Sequence, residues 1–204
     1  MKRHFSVAIT GASGAVYGVR LIRELLADGN RLSVLITSSG FTVLKEEMGL
    51  DWSGDSAAEV TAKIREYFGA KGEACFAPTF YAEADFYSPL ASGSAAADAM
   101  IVAPCSMGSL ARIAAGLSGN LLERAADVML KEGRPLLLLP RETPLSAIHL
   151  ENMLKLARLG VRIIPPMPGF YCQPQTIDDI VNFVVGKVLD QLGIEHRLYM
   201  RWGE

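Results

Sequence analysis

The chain has 204 residues, 50% of them hydrophobic and 21% charged. A chain of this length buries a core of its own without a disulfide or metal staple, and it is too apolar to stay disordered. Its 20 basic and 22 acidic side chains leave a formal net charge of −2, so there is no basic excess to neutralise a nucleic-acid backbone and no nucleic-acid partner is expected.

Residues 5–10 read as a short buried strand, and Gly11-Ala12-Ser13-Gly14 as a tight turn. Residues 15–27 follow with helical spacing at Val16, Val19, Leu21, Ile22, Leu25 and Leu26, and Gly29 stops the helix. A second strand at 32–36 and a helix at 41–48 complete a β-α-β-α pattern, the mark of an α/β doubly wound parallel sheet. Residues 57–68 read as helix, whereas 69–94 carry Gly, Pro and aromatics without a firm period. A buried strand at 99–103 runs into Pro104-Cys105-Ser106, followed by helices at 107–115 and 121–132. Residues 136–139, four leucines between prolines, suit a central parallel strand. The chain ends with a helix at 145–159 closed by Gly160, a strand at 161–164, a rigid Pro-rich loop at 165–169 and a long helix at 177–192. One domain spanning 1–204 is expected.

Cys75, Cys105 and Cys172 are odd in number and far apart, so they build neither a disulfide framework nor a CxxC metal pair, and they fit a reducing cytoplasm. No apolar run approaches the ~18 residues of a transmembrane helix. The basic start Lys2-Arg3-His4 leads into a short apolar stretch that ends at once in a Gly/Ser turn, which reads as a strand and not a signal peptide.

Ligands of such sheets bind beyond the carboxyl ends of the strands. The unusual residues cluster there: Gly11 to Gly14, Thr37-Ser38-Ser39, Pro104-Cys105-Ser106 and Arg141-Glu142. The first loop lies between a strand and a helix start, where glycines admit a ligand and free N–H groups attract phosphate. A dinucleotide fingerprint would need Gly at position 13 and Gly or Ala at 16, where this chain has Ser13 and Val16. The second strand ends in hydroxyls and not in the acid that holds an NAD ribose, and no Walker lysine is present, so a mononucleotide phosphate fits better than NAD or ATP. The alternative, that Ser13 only caps the helix and the glycines only turn, stays open.

A charged pair after a buried strand points to function: Glu142 can move protons and Arg141 can hold a phosphate or a flavin carbonyl, although Glu142 also suits a helix start. Arg124, Asp127 and Lys131 share a helix face and by spacing alone form a salt-bridge ladder. Asp178-Asp179 superficially resembles a magnesium-diphosphate site, but Thr176 with Asp179 three residues on is a capping-box pair, and no metal is assigned. His149 reads as a packed or hydrogen-bonded helix residue and Cys105 as a buried small hydrophobe. Tyr171 and Lys187 can clamp a small phosphate, or serve structure alone.

Together these motifs resemble the flavin prenyltransferases, the UbiX/Pad family. The resemblance rests on Gly11-Ala12-Ser13-Gly14-Ala15 with Tyr17-Gly18, Ala91-Ser92-Gly93-Ser94, Pro104-Cys105-Ser106-Met107 and Arg124-Ala125-Ala126-Asp127-Val128 through Leu130-Lys131-Glu132. Pro140-Arg141-Glu142-Thr143-Pro144-Leu145, Ile148-His149-Leu150-Glu151-Asn152-Met153, Pro168-Gly169-Phe170-Tyr171 and Arg201-Trp202-Gly203 continue it. Residues 50–85 carry little of it. The resemblance implies a flavodoxin-like Rossmann fold that binds FMN. It implies transfer of a dimethylallyl unit from dimethylallyl monophosphate to reduced FMN, at N5 and then C6. The prenylated FMN would serve a UbiD-type decarboxylase. It further implies a metal-independent, cytoplasmic homo-oligomer, typically a dodecamer, in which the segment 165–204 packs on a neighbouring subunit.

Carried over by position, Gly11, Ala12, Ser13, Thr37, Ser106, Met107, Gly108, Ser109 and Arg141 would meet FMN. Tyr171 and Lys187 would hold the dimethylallyl phosphate. Arg124 and Lys131 would add positive charge at the catalytic centre across an interface, and Trp202 would line or cover the site. Glu142 would handle protons, with Ser13 and Glu47 as further groups at the reacting centre. Two positions depart from the usual pattern: Lys187 stands where many relatives have Arg, and Ser109 where Thr is common. Two other readings stay open: an FMN-dependent decarboxylase of a cysteine-containing substrate, and a non-enzymatic flavin carrier.

Overall fold

The computed structural model describes residues 2–69 and 77–203; Cys75 lies outside the described residues. Strands β1 (His4–Ile9), β2 (Arg31–Ile36), β3 (Thr79–Tyr81), β4 (Ala99–Cys105), β5 (Leu136–Pro140) and β6 (Arg162–Ile163) form one sheet. Every neighbouring pair is parallel, in the order β3-β2-β1-β4-β5-β6. Helices α1 (Ala15–Ala27), α2 (Ser38–Met48), α3 (Ala57–Gly69), α4 (Met107–Ala114), α5 (Leu121–Lys131), α6 (Ala147–Arg158) and α7 (Ile177–Leu192) cover the two faces.

The apolar strands explain the three layers. Successive side chains point to opposite faces, so Leu137 and Leu139 enter one core while Leu136 and Leu138 enter the other. Ile101 and Ala103 divide from Met100 and Val102 in the same way. The first core holds α1, α3 and α7; the second holds α4, α5 and the one buried side chain of α6, Leu156. Glycines set the closeness of the layers. A Cβ at Gly18 would stand 2.2 Å from the Ala103 carbonyl, and one at Gly40 would stand 2.6 Å from the Ile9 carbonyl. Helices α1 and α2 are thereby drawn down onto the ends of β4 and β1.

Without β3, the five remaining strands have the flavodoxin-like order 2-1-3-4-5. The chain moves outward one way from β1 to β2, then returns to β4 on the other side of β1. The switch point lies between the carboxyl ends of β1 and β4.

Several elements differ from the sequence expectation. β3 went unseen because it is a three-residue edge strand inside the aperiodic stretch. α2 begins at Ser38 and not at 41, because the Thr37 side chain caps it by accepting from the Gly40 N–H at 3.0 Å. β4 continues past Pro104 to Cys105, with a register shift after Val102. α6 starts at Ala147 and not at 145, and of its leucines only Leu156 is buried. His149 is not packed in a core: its ring accepts the Ser146 N–H and completes a capping box. α7 belongs to the core of its own chain, packed on α1, so the exposed apolar side chains of 165–204 lie at its first residue, Ile177, and in the flanking segments.

Candidate functional site

The switch point is held by a buried threonine. Thr10 follows β1 and is fully buried. Its hydroxyl donates to the Pro104 carbonyl at 2.8 Å and accepts from the Ser106 N–H at 2.8 Å. The two strand ends that flank the crevice are therefore tied through one side chain, and the start of α4 is fixed with them. Sequence reasoning placed Thr10 in a strand and missed this tie, because it joins positions 96 residues apart.

Three helix N-termini meet at this edge of the sheet, and each is served differently. Gly14, at φ +108°, ends the first loop in a conformation that favours glycine. The Gly14 and Ala15 N–H groups donate to the Glu47 carboxylate at 2.9 and 3.0 Å. Ser13 is exposed and does not cap α1. A phosphate at this helix end would meet the Glu47 carboxylate already in place. At α2, Glu83 accepts from the Ser38 N–H at 2.9 Å and from its hydroxyl at 3.1 Å. At α4 the cap is neutral: Ser106 Oγ accepts from the Ser109 N–H at 3.2 Å and donates to the Ser109 hydroxyl at 3.0 Å. A Cβ at Gly108 would find only Ser106 Oγ, at 4.0 Å, so space is open beside this helix start.

Between α2 and α4 lies an open cleft of about 420 Å³. Its wall carries the hydroxyls of Thr37, Ser38, Ser39, Ser106 and Ser109, with Asn120, Arg112, Glu83 and Glu123. The volume falls in the range of about 300–1,000 Å³ typical of small-ligand sites. Gly11 completes the approach, since a Cβ there would stand 2.5 Å from Ser39 Cβ. Among the predicted residues, Thr37, Ser106, Gly108 and Ser109 line this one cleft. Met107 is buried in the second core at its edge.

Arg141 follows β5, and its N–H donates to the Cys105 carbonyl at 3.2 Å. Its Nε is buried and has no hydrogen-bond partner among the described residues. Glu142 beside it is exposed, its carboxylate accepting only from the Thr143 N–H at 3.0 Å among the described hydrogen bonds. Cys105 is fully buried, and burial pushes its thiol up to about 12, as suits a small hydrophobe.

A second group forms at the C-terminal end. The Tyr171 ring meets Phe183 at 5.7 Å and Trp202 at 5.2 Å, both edge-on. Lys187 Nζ stands 5.3 Å from the Phe183 ring centre and 4.8 Å from that of Tyr199. A hydrogen bond to the Tyr199 side chain holds the Lys187 ammonium above its ordinary pKa, so it stays charged. Tyr199 in turn donates to Asp190, which also accepts from Arg201 at 2.8 Å. The fold thus gathers Tyr171, Lys187 and Trp202 in one place. A third group lies on α5: Arg124 pairs with Asp127 at 2.8 Å and donates to the Ala91 carbonyl at 3.1 Å. Lys131 leaves the expected ladder and pairs with Glu132, against the loop at Gly93. Thr176 and Asp179 form the capping box, and Asp178 pairs with Arg20. Among the described residues no cluster of three His, Cys, Asp or Glu side chains is arranged to hold a metal.

The Flavoprotein family pattern matches residues 1–189. A protein of Halalkalibacterium halodurans named flavin prenyltransferase UbiX is 53% identical over 201 residues, covering 98% of this chain and 93% of that relative. The chain belongs to the UbiX family of flavoproteins. Among solved structures, AnUbiX (PadA1) in complex with FMN and dimethylallyl pyrophosphate matches with a TM-score of 0.84 at 36% identity, covering 100% of this chain and 99% of that one. A dodecameric FMN-dependent UbiX-like decarboxylase from Escherichia coli O157:H7 matches with a TM-score of 0.82 at 44% identity, covering 98% of this chain and 100% of that one.

The residues of this flavoprotein fit a flavin mononucleotide. The buried Nε of Arg141 needs an acceptor that no described residue supplies. The hydroxyl wall suits a polyhydroxyl chain, and the neutral α4 start suits an anion. The lining residues that the sequence left unnamed, Glu83, Arg112, Asn120 and Glu123, come from a loop and two helices that only the fold brings to the cleft. Leu121, whose N–H donates to the Glu83 carbonyl at 2.7 Å, ties that loop to α5.

Proposed function

We propose that this protein is a flavin prenyltransferase that joins the dimethylallyl group of dimethylallyl monophosphate to reduced FMN, at N5 and C6. The single observation that carries the reading is the buried, unpartnered guanidinium nitrogen of Arg141 beside the exposed Glu142, at the end of β5. A flavin acceptor satisfies the first, and a proton-handling task suits the second. High identity to relatives named for this activity supports it. When bound, reduced FMN supplies the electron-rich acceptor atoms. Gly11, Ala12, Ser13, Thr37, Ser106, Met107, Gly108, Ser109 and Arg141 hold it in this reading.

Breaking the allylic C–O bond of the donor places negative charge on the departing phosphate and positive charge on the five-carbon unit. The Lys187 ammonium and the Tyr171 hydroxyl stabilise the first. The rings of Tyr171 and Trp202 shelter the second. Glu142 gives or takes the proton, with Glu47 and Ser13 near the reacting centre. Arg124 and Lys131 add positive charge from a neighbouring subunit. The remainder is positioning.

The site is completed in a homo-oligomer, and we place this chain in a dodecamer like that of its E. coli relative. Exposed apolar side chains support assembly: Ile148 on α6 is 67% exposed, Phe170 71% and Ile177 79%. The chain forms one domain, with the exposed parts of 165–204 meeting a neighbouring subunit. No helix among the described residues is long and apolar enough to cross a membrane, and the three thiols suit a cytoplasmic location. A UbiD-type decarboxylase receives the product.

The test is release of inorganic phosphate from the donor under anaerobic conditions. Release should require both reduced FMN and dimethylallyl monophosphate; a diphosphate donor would release pyrophosphate, which is assayed beside it and should form more slowly. Carbon dioxide release from a cysteine-containing substrate, with no phosphate release, would favour the decarboxylase reading. FMN binding without either reaction would favour a carrier.

A further inference from the structure

The cleft between α2 and α4 holds a charge pair that neither the motifs nor the reaction uses. Arg112 stands on α4 with its side chain 58% exposed, and its Nε lies 3.3 Å from Oε1 of Glu123, whose side chain is 2% exposed. Glu123 is pinned in place. Its N–H donates to the Asn120 side chain at 2.9 Å, and its Oε2 accepts from the Gly119 N–H at 2.7 Å. A buried carboxylate is costly unless paired, and Arg112 is its charge partner. A guanidinium has five N–H donors in a rigid fork. The described contact to Glu123 is made at Nε, and none of the described hydrogen bonds uses the terminal nitrogens, which leaves donors for a second anion.

Arg112 is also the single basic side chain lining the cleft among the described residues; its other charged lining groups are Glu83 and Glu123. Glu83 is occupied by Ser38. Without Arg112 an anion entering between the two helix starts would face two carboxylates. With it, the anion meets a guanidinium held rigidly from behind and hydroxyls on either side.

We propose that Arg112 binds the phosphate monoester of the flavin mononucleotide, and that Glu123 is the positioning residue that holds Arg112 for this contact. The pair then sets the preference for FMN over riboflavin, which lacks the phosphate. This rests on the flavin reading above.

The test measures FMN and riboflavin affinities side by side, by quenching of flavin fluorescence, at one salt concentration. Wild type should prefer FMN. Arg112→Ala should weaken FMN by about tenfold or more, the scale of a hydrogen bond to a charged group, and leave riboflavin unchanged. Arg112→Lys should recover part of the loss, because charge is kept and the fork is lost. Unchanged riboflavin affinity certifies the fold of each variant. In a Glu123→Gln background, Arg112→Ala should change the FMN-to-riboflavin ratio at least about threefold less than in wild type, the signature of coupled residues. Independent effects would overturn the positioning part. A wild-type ratio retained in Arg112→Ala would overturn the phosphate contact. Failure of wild type to bind either flavin would instead overturn the flavin reading itself.

Discussion

Thr10→Val is the sharpest test of how the switch point is built. Valine keeps the shape of threonine and replaces the hydroxyl by a methyl group. Thr10 is fully buried, whereas the donor it serves, the Ser106 N–H, is half-buried at the cleft wall. The Pro104 carbonyl keeps a second donor, the Thr10 N–H at 3.3 Å. The Ser106 N–H loses its 2.8 Å protein acceptor. Losing that acceptor at a half-buried donor costs about 1–3 kcal/mol. At a urea m-value of about 2 kcal/mol/M, the midpoint should fall by about 0.5–1.5 M. Unfolding is followed in urea at one fixed protomer concentration, because assembly shifts apparent stability. Thr10→Ser keeps the hydroxyl and should recover most of the loss. FMN affinity should drop with Thr10→Val, since Ser106 opens α4 and caps it. A midpoint within about 0.2 M of wild type, well below the shift expected for the lost acceptor, would show that the Thr10 hydroxyl does not hold the switch point. So would a serine variant as weak as the valine one.

Three further outcomes follow. Glu142→Gln should retain FMN binding and lose product formation by about 100-fold or more, the scale of a general acid or base; full activity would remove Glu142 from proton transfer. Tyr199→Phe keeps the ring under Lys187 and removes the hydroxyl that holds the ammonium, so the donor KM should rise about three- to tenfold with kcat little changed; a kcat effect alone would contradict the positioning role. His4 is held down to about 4 by burial and by Arg31, against the opposing pull of Asp98. Its folded value lies below the unfolded value near 6.5, so its contribution to stability is complete above about 6.5 and is lost as pH falls towards 4. His4→Gln should flatten urea midpoints measured across that window, and an unchanged pH slope would show that His4 does not titrate there.

Most of the sheet was legible because its strands are continuous apolar runs closed by Gly, Pro or hydroxyl residues. Leu136 to Leu139 could hardly be other than a strand buried on both faces. β3 was hidden because three residues of an edge strand carry no period. α6 misled for another reason. Helical spacing shows that Leu150 and Leu154 share a helix, but not whether that face meets the sheet or stays exposed.

The site divides in the same way. Thr37 and Ser106 stood out by their place after buried strands, whereas Met107, Gly108 and Ser109 were named only through the family resemblance. Glu47 was named for a reacting centre, yet its hold on the Gly14 and Ala15 N–H groups depends on how α2 crosses α1. Arg112 and Glu123 belong to no motif, and only the packing of α4 on α5 pairs them and buries one.

Alkylation of the bound flavin is tested most directly by its mass. Purified protein is incubated anaerobically with reduced FMN and dimethylallyl monophosphate, without added metal, and the mass of the recovered flavin is read. The flavin should gain one five-carbon prenyl unit, about 100-fold more slowly in Glu142→Gln. Bound FMN recovered with its mass unchanged would contradict it.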